Sequence, residues 1–490
     1  MAERWVAVAW LVLCAAPGTA RAQELNYQTF LVGERALGMG GAFTGYADDP
    51  SAAYYNPAGL AQIASSGLSG SLSVNAFNRY VVEDGYGSPV GVTDLEHDGT
   101  PTVPLFVGMV KKFGPRHPDR VRRHAVALST VHPHAVRRSY QVTLFDPMTT
   151  VHSSIHVSHD ETTRWYGPSY AFRITPRFAL GLSAFLATRS ITHEEDDVIV
   201  TTGARDPDGF FRNATLSVRE SITDVDATGI VLRVGALWDP TDEWRVGIMF
   251  QPPAITIDSS ARVFERRSFA DLLAAEPIAT FFHSDQAGLD STYRVPMEVR
   301  VGTSFAPSET FIAALDVSVY APVGSESDPV ELVGRPSPEP GTGETPQAGI
   351  LAITDYHSVW TFNVSAGIET MIADAVPLRA GVFTDLSGAP RIEGPTDRYA
   401  PAHVNQYGAS LSVGIRSGGY DLAIGAAGVI GFGRGLALNP NPGFDPTPQT
   451  FLPTDVESRS IYFFLSGAKK AVSRLARNAY DEYLRPEEMD

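Results

Sequence analysis

The sequence predicts an all-β protein: a fourteen-stranded antiparallel transmembrane β-barrel with a small N-terminal hatch that plugs its lumen. Three observations predict this class. Apolar and polar residues alternate with a period of two along most of the chain after residue 66. Short and long connections between these segments alternate. A stretch rich in glycine and alanine precedes the first strand and is too poor in large apolar residues to build its own core.

Residues 1–22 are predicted to be a secretory signal peptide. An apolar run over residues 5–16 is followed at residues 20–22 by a small-x-small cleavage site. The run is too short to cross a membrane as a helix. The one cysteine of the chain, Cys14, lies inside it. The mature protein is therefore expected to have no disulfide, no zinc–thiolate site and no cysteine nucleophile.

The charge of the chain restricts its partners. The formal net charge is −17, and an acidic surface argues against nucleic acid as a partner. No later segment has a long apolar run free of charges, so a place in a membrane requires strands, which spread their apolar residues over alternate positions. Outer-membrane lipid is then the expected partner of the outward face.

Residues 23–66 are predicted to form the hatch. The stretch from Gly33 to Leu60 is compact, rich in glycine and alanine, and almost free of basic residues. Such a segment needs a container, and the strands after it supply one. A barrel of fourteen strands encloses more space than small inward side chains can fill.

The alternating segments fit two architectures. In a soluble sandwich the apolar face forms the core; in a membrane barrel it meets lipid, and the polar face lines the lumen. Connection lengths favour the barrel, because very short turns such as 175–177 and 373–374 alternate with long polar segments. The long segments are predicted to be outer loops: 80–102, 261–292, 324–354 and 433–457.

Fourteen strands are predicted within a barrel domain spanning residues 67–468. The even number returns the chain to the periplasmic side. The predicted strands are 67–79, 103–113, 123–140, 155–174, 177–194, 214–238, 243–258, 293–306, 309–321, 356–371, 375–387, 404–416, 419–431 and 458–468.

The segment ADDPSAAYYNPAGL, residues 47–60, resembles the N-terminal hatch of the FadL/TodX (OmpP1) outer-membrane transport family. In that family an Asn-Pro-Ala motif lies in the hatch; here it is Asn56, Pro57 and Ala58. The resemblance implies a passive transporter in the bacterial outer membrane, and not an enzyme, for hydrophobic compounds such as long-chain fatty acids or aromatic hydrocarbons. Its cargo would be captured by outer loops, held against the hatch and released laterally through a gap at the third strand.

The same signature occurs in proteins similar to PorV of a bacterial secretion system. The alternative is therefore a structural or secretion-associated barrel that binds a protein partner. No cofactor is implied by either reading.

Pro133 is an independent indication of a gap in the wall. It lies in His132-Pro133-His134, in the third predicted strand, and proline cannot donate to a sheet ladder. A bulge or an opening is expected there, and these three residues are the lateral gate candidates. The alternative is that the strand ends at Val131 and that Pro133 begins a loop.

Two groups of residues are candidate ligand contacts. Apolar hatch residues would face the cargo, and basic strand residues would pair with a carboxylate, since a guanidinium can hold one bidentately. The candidates are Phe30, Leu31, Leu37, Met39 and Phe43, with Arg137 and Arg138. Three further arginines are lumen or rim candidates that lumen acids such as Glu298 are expected to pair: Arg233, Arg245 and Arg300.

The remaining features predict no catalysis. The histidines lack the spacing and helical context of a zinc hydrolase, so no metal site is expected. The acidic run Glu194–Asp197 is predicted to be a solvated loop, and the alternative is that it binds calcium at the cell surface. Residues 469–490 follow the last strand, with apolar residues at helical spacing. They are predicted to form a periplasmic helix or tail that covers the barrel's rim or docks a periplasmic partner.

Overall fold

In a computed structural model of the chain, one antiparallel β-sheet closes on itself and surrounds a short N-terminal segment. The predicted signal peptide, Phe30 and residues 471–490 lie outside the described residues, so the periplasmic helix or tail and its partner remain predictions. The structure describes residues 25–28, 31–63, 66–99, 102–116, 122–148, 150–202, 214–271, 278–289, 291, 295–324, 330–331, 355–372, 375–396, 400–417, 419–438 and 451–470.

Seventeen strands of the described residues belong to the closed sheet, and β13 (Val330–Glu331) and β14 (Asp355–Tyr356) form a separate pair. The strands of the closed sheet are β1 (Gly67–Ser88), β2 (Gly91–Gly99), β3 (Thr102–Arg116), β4 (Arg122–Asp146), β5 (Val151–Thr175), β6 (Phe178–Thr202), β7 (Ala214–Trp238), β8 (Trp244–Gln251), β9 (Ile255–Asp271), β10 (Ile278–Leu289), β11 (Glu298–Ser308), β12 (Phe311–Tyr320), β15 (Thr361–Ile372), β16 (Val376–Asp385), β17 (His403–Ser417), β18 (Tyr420–Leu436) and β19 (Pro453–Lys470).

The seventeen strands occupy fourteen positions around the barrel, because at three positions one barrel strand is interrupted and counts as two segments. β2 and β3 both pair with β1 and together form one barrel strand. β8 and β9 both pair with β7 and form a second. β10 and β11 form the third, since β10 pairs with β9 and β11 pairs with β8. The barrel closes where β1 pairs antiparallel with β19, from Gly67 opposite Lys470. The predicted fourteen-stranded antiparallel barrel is therefore confirmed.

The distribution of side chains is inverted relative to a soluble protein. Large apolar residues point outward and are exposed, as Leu182 (46%), Phe362 (54%) and Ile424 (59%) illustrate. Charged residues point inward and are buried, as Arg233 and Glu298 illustrate. A soluble sandwich would leave this apolar surface in water at a large free-energy cost, so the face must meet lipid. Among the described residues, no helix is long and apolar enough to cross a membrane.

Several predicted loops are wrong. The segments 80–102 and 261–292 mostly continue the ladder, as the upper part of β1 with β2 and as β9 with β10. The acidic run Glu194–Asp197 lies in β6, with Glu195 and Asp197 buried on its inward side. These strands have polar outward faces there, so period-two hydrophobicity fades although the backbone stays paired. β19 also runs two residues past the predicted end of the barrel.

The hatch segment, which we define as residues 25–28 and 31–63, packs inside the barrel. It contains two four-residue helices, α1 (Arg35–Gly38) and α2 (Ala52–Tyr55), and a 3-10 helix, η1 (Pro57–Ala61). Gly40 and Gly41 adopt positive φ angles of 63° and 81° after α1, which glycine accepts without strain. Nearly all of residues 31–63 are buried, and most of the apolar ones join a single core cluster with residues of the inner wall.

Inward-facing glycines let the wall approach the backbone of the hatch segment. A Cβ on any of them would fall within 2.1 to 2.3 Å of a hatch atom, far inside van der Waals contact. We call them the glycine belt: Gly181, Gly235, Gly247, Gly367 and Gly381. The belt extends from β6 to β16, and two pairs within it are direct cross-strand neighbours, 181 with 235 and 367 with 381.

Candidate functional site

The Asn-Pro-Ala motif fastens the hatch segment to the wall. Asn56 Nδ2 donates to the carbonyl of Thr44, at 3.0 Å, and to that of Ala236 in β7, also at 3.0 Å. Asn56 Oδ1 accepts from the backbone N–H of Ala58, at 3.2 Å, and so caps η1, while Pro57 occupies its first turn. One fully buried amide thus joins two parts of the hatch segment to a barrel strand.

A buried ionic cluster holds the other end of the hatch segment. The guanidinium of Arg35 lies 2.6 Å from the carboxylates of Asp48 and of Glu369 in β15. The carboxylate of Glu369 also forms ion pairs with two wall residues, Arg379 Nε at 2.6 Å and Arg416 Nη2 at 3.5 Å. A single wall carboxylate therefore faces three guanidiniums, one from the hatch segment and two from the wall.

The neighbouring acid, Glu34, makes the stability of this contact dependent on pH. Burial and the neighbouring carboxyls of Asp421 and Asp49 raise the pKa of Glu34 from 4.5 to about 9. The folded state then binds this proton more tightly than the unfolded state. The stability contributed is complete below pH 4.5 and is lost as the pH rises toward about 9.

Glu34→Gln is expected to remove this dependence. The unfolding free energy of the wild type should fall relative to that of the variant as the pH rises from about 5 to about 9, measured by denaturant titration in detergent. Glu309→Gln is the control, because Glu309 is exposed at the same end of the barrel. Its unfolding free energy should change with pH in the same way as that of the wild type. A constant difference between Glu34→Gln and the wild type at every pH would contradict the assignment.

A cavity of about 110 Å³ lies at the outer end of the hatch segment, between it and the inner wall. Four aromatic rings line it, and two of these, Tyr27 and Tyr320, stack at 4.5 Å. The lining consists of Leu25, Asn26, Tyr27, Tyr54, Pro133, His134, Glu161, Thr163, Trp165, Arg189, Arg233, Gln251, Val295, Pro296, Glu298, Tyr320, Val323 and Ser358.

The charges in this lining occur in pairs. Arg189 lies 2.7 Å from Glu161, and Arg233 lies 3.0 Å from Glu298. Glu298 also pairs with Arg300, at 2.7 Å, as expected for a lumen acid. Among the described residues, no group of three or more His, Cys, Asp or Glu side chains is placed to hold a metal ion.

Pro133 lies where β4 has a bulge. β4 pairs with β5 at Val131 opposite Trp165 and again at His134 opposite Thr163, with a shift of register between them. On its other side β4 pairs with β3 as far as Val131, and among the described residues this ladder extends no further toward the outer end. Pro133 and His134 line the cavity, while His132 does not, and His134 Nε2 lies 3.7 Å from Glu161 Oε1. The strand therefore continues through Pro133 rather than ending at Val131.

The other sequence-predicted ligand residues lie elsewhere. Leu31, Leu37, Met39 and Phe43 are buried and pack within the hatch segment or against the wall, outside the cavity lining.

The predicted basic residues divide between outer face and lumen. Arg137 points outward and pairs with Asp160 at 2.5 Å, whereas Arg138 is buried over the ring of Tyr80. Arg233 lines the cavity, whereas Arg300 lies outside the lining and pairs with the lining residue Glu298. Arg245 lies near Asp239, which begins the turn after β7.

Sequence reasoning missed most of the cavity. Tyr54, Glu161, Trp165 and Gln251 were not among the candidates, although all are lining residues. Glu161 and Trp165 occupy inward positions of β5, opposite the bulge of β4. The sequence property that could have identified them is the alternation of β5: every second residue of this strand, which neighbours Pro133, faces the lumen.

The closed barrel, its apolar outer face and its plugged lumen define an outer-membrane transport protein. A family model described as outer membrane protein transport protein (OMPP1/FadL/TodX) matches residues 11–391, and the chain belongs to this family. It is accordingly an outer-membrane transporter of hydrophobic compounds and not an enzyme.

Solved structures share the fold at low sequence identity. The chain is similar to a Pseudomonas aeruginosa FadL homologue, with 15% identity and a TM-score of 0.58, covering 91% of this chain and 99% of that chain. It is also similar to the P. putida toluene transporter TodX, with 14% identity, a TM-score of 0.56 and the same coverages. No curated sequence is significantly similar to this chain.

Proposed function

We propose that this protein is a passive transporter that captures a small hydrophobic compound at its outer loops, holds it in the cavity beside the hatch segment and releases it laterally near Pro133. The observation that carries the proposal is that Pro133 both lines the cavity and lies at the bulge of β4. The cargo site and the irregular part of the wall are thus adjacent.

The lining favours an aromatic hydrocarbon over a complete fatty-acid chain. The rings of Tyr27, Tyr54, Trp165 and Tyr320 surround a space of about 110 Å³, and a dry cavity of similar size is known to hold one benzene molecule. A long acyl chain would extend beyond this space. The similarity in fold to a protein described as a toluene transporter agrees with this choice.

Lateral release is supported by the hydrogen bonding of the wall. Proline has no N–H to give to a ladder, and in the part of the wall that the structure describes the pairing of β4 with β3 does not extend past Val131. Few backbone hydrogen bonds therefore need to break for a compound to leave the cavity between β4 and β3. Such a path leads directly to lipid, where an apolar cargo is more soluble than in water.

Thr163→Trp is expected to abolish uptake, because Thr163 faces the cavity and the indole would fill it. Uptake of labelled toluene by cells that express each variant measures this. Thr162→Trp is the matched control, since its side chain points to the opposite face of β5, and it should leave uptake unchanged. Normal uptake by Thr163→Trp would contradict the proposed cavity. Normal uptake by Thr163→Trp, together with a protein that co-purifies stably with the barrel, would favour the secretion-associated alternative.

A further inference from the structure

We propose that His97 is a positioning residue for lateral release: it holds β2 against β4 above Pro133 and so limits the rate at which the wall opens for the cargo. This inference rests on the proposed function and assigns a residue to its release step. Two observations carry it. The outer part of β4 has a ladder on one edge, and a buried group of side chains joins its other edge to β1 and β2.

The outer part of β4 is anchored to the sheet through β5. Residues 134–146 pair with β5 throughout, whereas among the described residues the ladder with β3 on the other edge ends at Val131. The bulge lies between these two parts of β4, and a bulge is a place where a strand bends. A movement of the outer part away from β2 would therefore widen the wall beside Pro133 and His134, which line the cavity.

Four buried side chains join this edge of β4 to β1 and β2. Nδ1 of His97 in β2 lies 3.1 Å from the backbone nitrogen of Ser139 in β4 and 3.2 Å from its carbonyl oxygen, so either neutral tautomer forms one hydrogen bond there. The guanidinium of Arg138 lies over the ring of Tyr80 in β1, 3.5 Å from its centroid. Tyr140 meets the ring of His97 edge-on at 6.2 Å. We call Tyr80, His97, Arg138 and Tyr140 the His97 cluster, and none of them is more than 7% exposed.

The His97 cluster lies apart from the cargo and outside the lipid. None of its four residues is among the lining residues of the cavity. The outward side chains at its level are charged, as the ion pairs of Arg79 with Glu96 at 2.9 Å and of Arg137 with Asp160 at 2.5 Å illustrate. This part of the wall therefore faces water rather than acyl chains. A change in the cluster is expected to alter the rate of release and to leave the affinity for the cargo unchanged.

The charge of His97 connects the cluster to the external pH. Burial lowers the pKa of His97 below its ordinary value of 6.5; the hydrogen bond to Ser139 opposes this shift, the charge of Arg138 adds to it, and Asp98 opposes it. The other two members of the cluster, from β1 and β4, are phenols that do not titrate in this range. Once β2 and β4 separate, His97 returns to water and to its ordinary pKa. Contact between the strands is thus fully stabilised above pH 6.5 and weakens as the pH falls below that value.

Uptake of labelled toluene by expressing cells tests this, because toluene itself does not titrate. Uptake through the wild type should become faster as the external pH falls below about 6.5, and this profile does not depend on any variant folding. His97→Asn keeps a hydrogen-bonding group near the position of Nδ1 but cannot be protonated. Its uptake should equal that of the wild type at about pH 8 and stay constant on acidification. His152→Asn is the matched control, since His152 is exposed on the outer part of β5, and it should keep the wild-type response.

His97→Leu removes the hydrogen bond to Ser139 and should make uptake about fivefold faster at about pH 8, the effect of one lost hydrogen bond on the barrier to opening. Titration calorimetry of each full-length variant in lipid nanodiscs should show an affinity for toluene within about twofold of the wild type. Wild-type uptake that ignores pH, an acid response that persists in His97→Asn, or a His97→Leu variant that is no faster or binds toluene more weakly would overturn this inference. The proposed function would then stand if Thr163→Trp still abolishes uptake. Absence of toluene binding by the wild type would overturn both.

Discussion

Glu369→Gln is expected to lower the free energy of unfolding by about 3–5 kcal/mol, the usual effect of removing one partner from a buried ionic cluster. Glu369 accepts from Arg35 and Arg379 at 2.6 Å, and all three side chains are almost completely buried. The amide of glutamine retains the size but loses the charge. The guanidiniums then stay buried with one fewer counter-charge, and the hatch segment loses its ionic contact with β15.

Denaturant unfolding in detergent, followed by intrinsic fluorescence, measures this change. Glu457→Gln is the matched control, because Glu457 pairs with Arg459 at 2.7 Å on the exposed outer part of β19. It should cost no more than about 1 kcal/mol. Adding Arg379→Met to Glu369→Gln should recover part of the loss, since it removes one uncompensated charge. If Glu369→Gln and Glu457→Gln behave alike, the cluster does not anchor the hatch segment.

Gly181→Val is expected to prevent the hatch segment from seating and to destabilise the protein by about 3 kcal/mol, near the upper end for overpacking. A Cβ at Gly181 would fall 2.3 Å from the backbone nitrogen of Ala58 and 2.3 Å from the carbonyl carbon of Pro57. Both are main-chain atoms of η1, which Asn56 holds against β7, so they cannot move aside as the end of a flexible side chain can.

Trypsin digestion in detergent provides a second measurement for this variant. Arg35 is buried in the wild type, and cleavage after it should become fast once the hatch segment is displaced. Gly428→Val is the control, because Gly428 faces outward in β18 and a Cβ there would meet nothing within 4 Å. Its stability should be unchanged or slightly higher, since valine suits a strand better than glycine. Protection of Arg35 in Gly181→Val would show that the belt is not needed for seating.

Together these anchors make the hatch segment an integral part of the barrel. The glycine belt holds it along β6 to β16, the ionic cluster holds α1, and Asp316 of β12 accepts from the backbone N–H groups of Phe43 and Thr44 at 2.9 and 2.8 Å. In the proposed function, cargo leaves past Pro133 without expulsion of the hatch segment. This route has the lower free-energy cost, because expulsion of the hatch segment would break all three sets of contacts at once.

The architecture was predictable because it depends on local pattern. Alternation as in Phe362, Asn363 and Val364 assigns faces to a strand whatever its neighbours are, and the turn lengths assign the ends of the barrel. The same logic failed in 80–102 and 261–292, where the outward faces of the strands are largely polar, because backbone pairing continues there without a clear hydrophobic alternation. Asn56 was likewise identifiable, since its cap on η1 is a contact within three residues.

By itself the sequence determined a fourteen-stranded membrane barrel, a segment to fill it and a proline out of place in the third strand. The tertiary structure alone decided which side chains share the cavity. Trp165, Arg233, Glu298 and Tyr320 are far apart in sequence, and they meet because barrel closure and stagger bring strands β5, β7, β11 and β12 around the same part of the hatch segment. That register is a property of the whole closed sheet, so no local periodicity contains it.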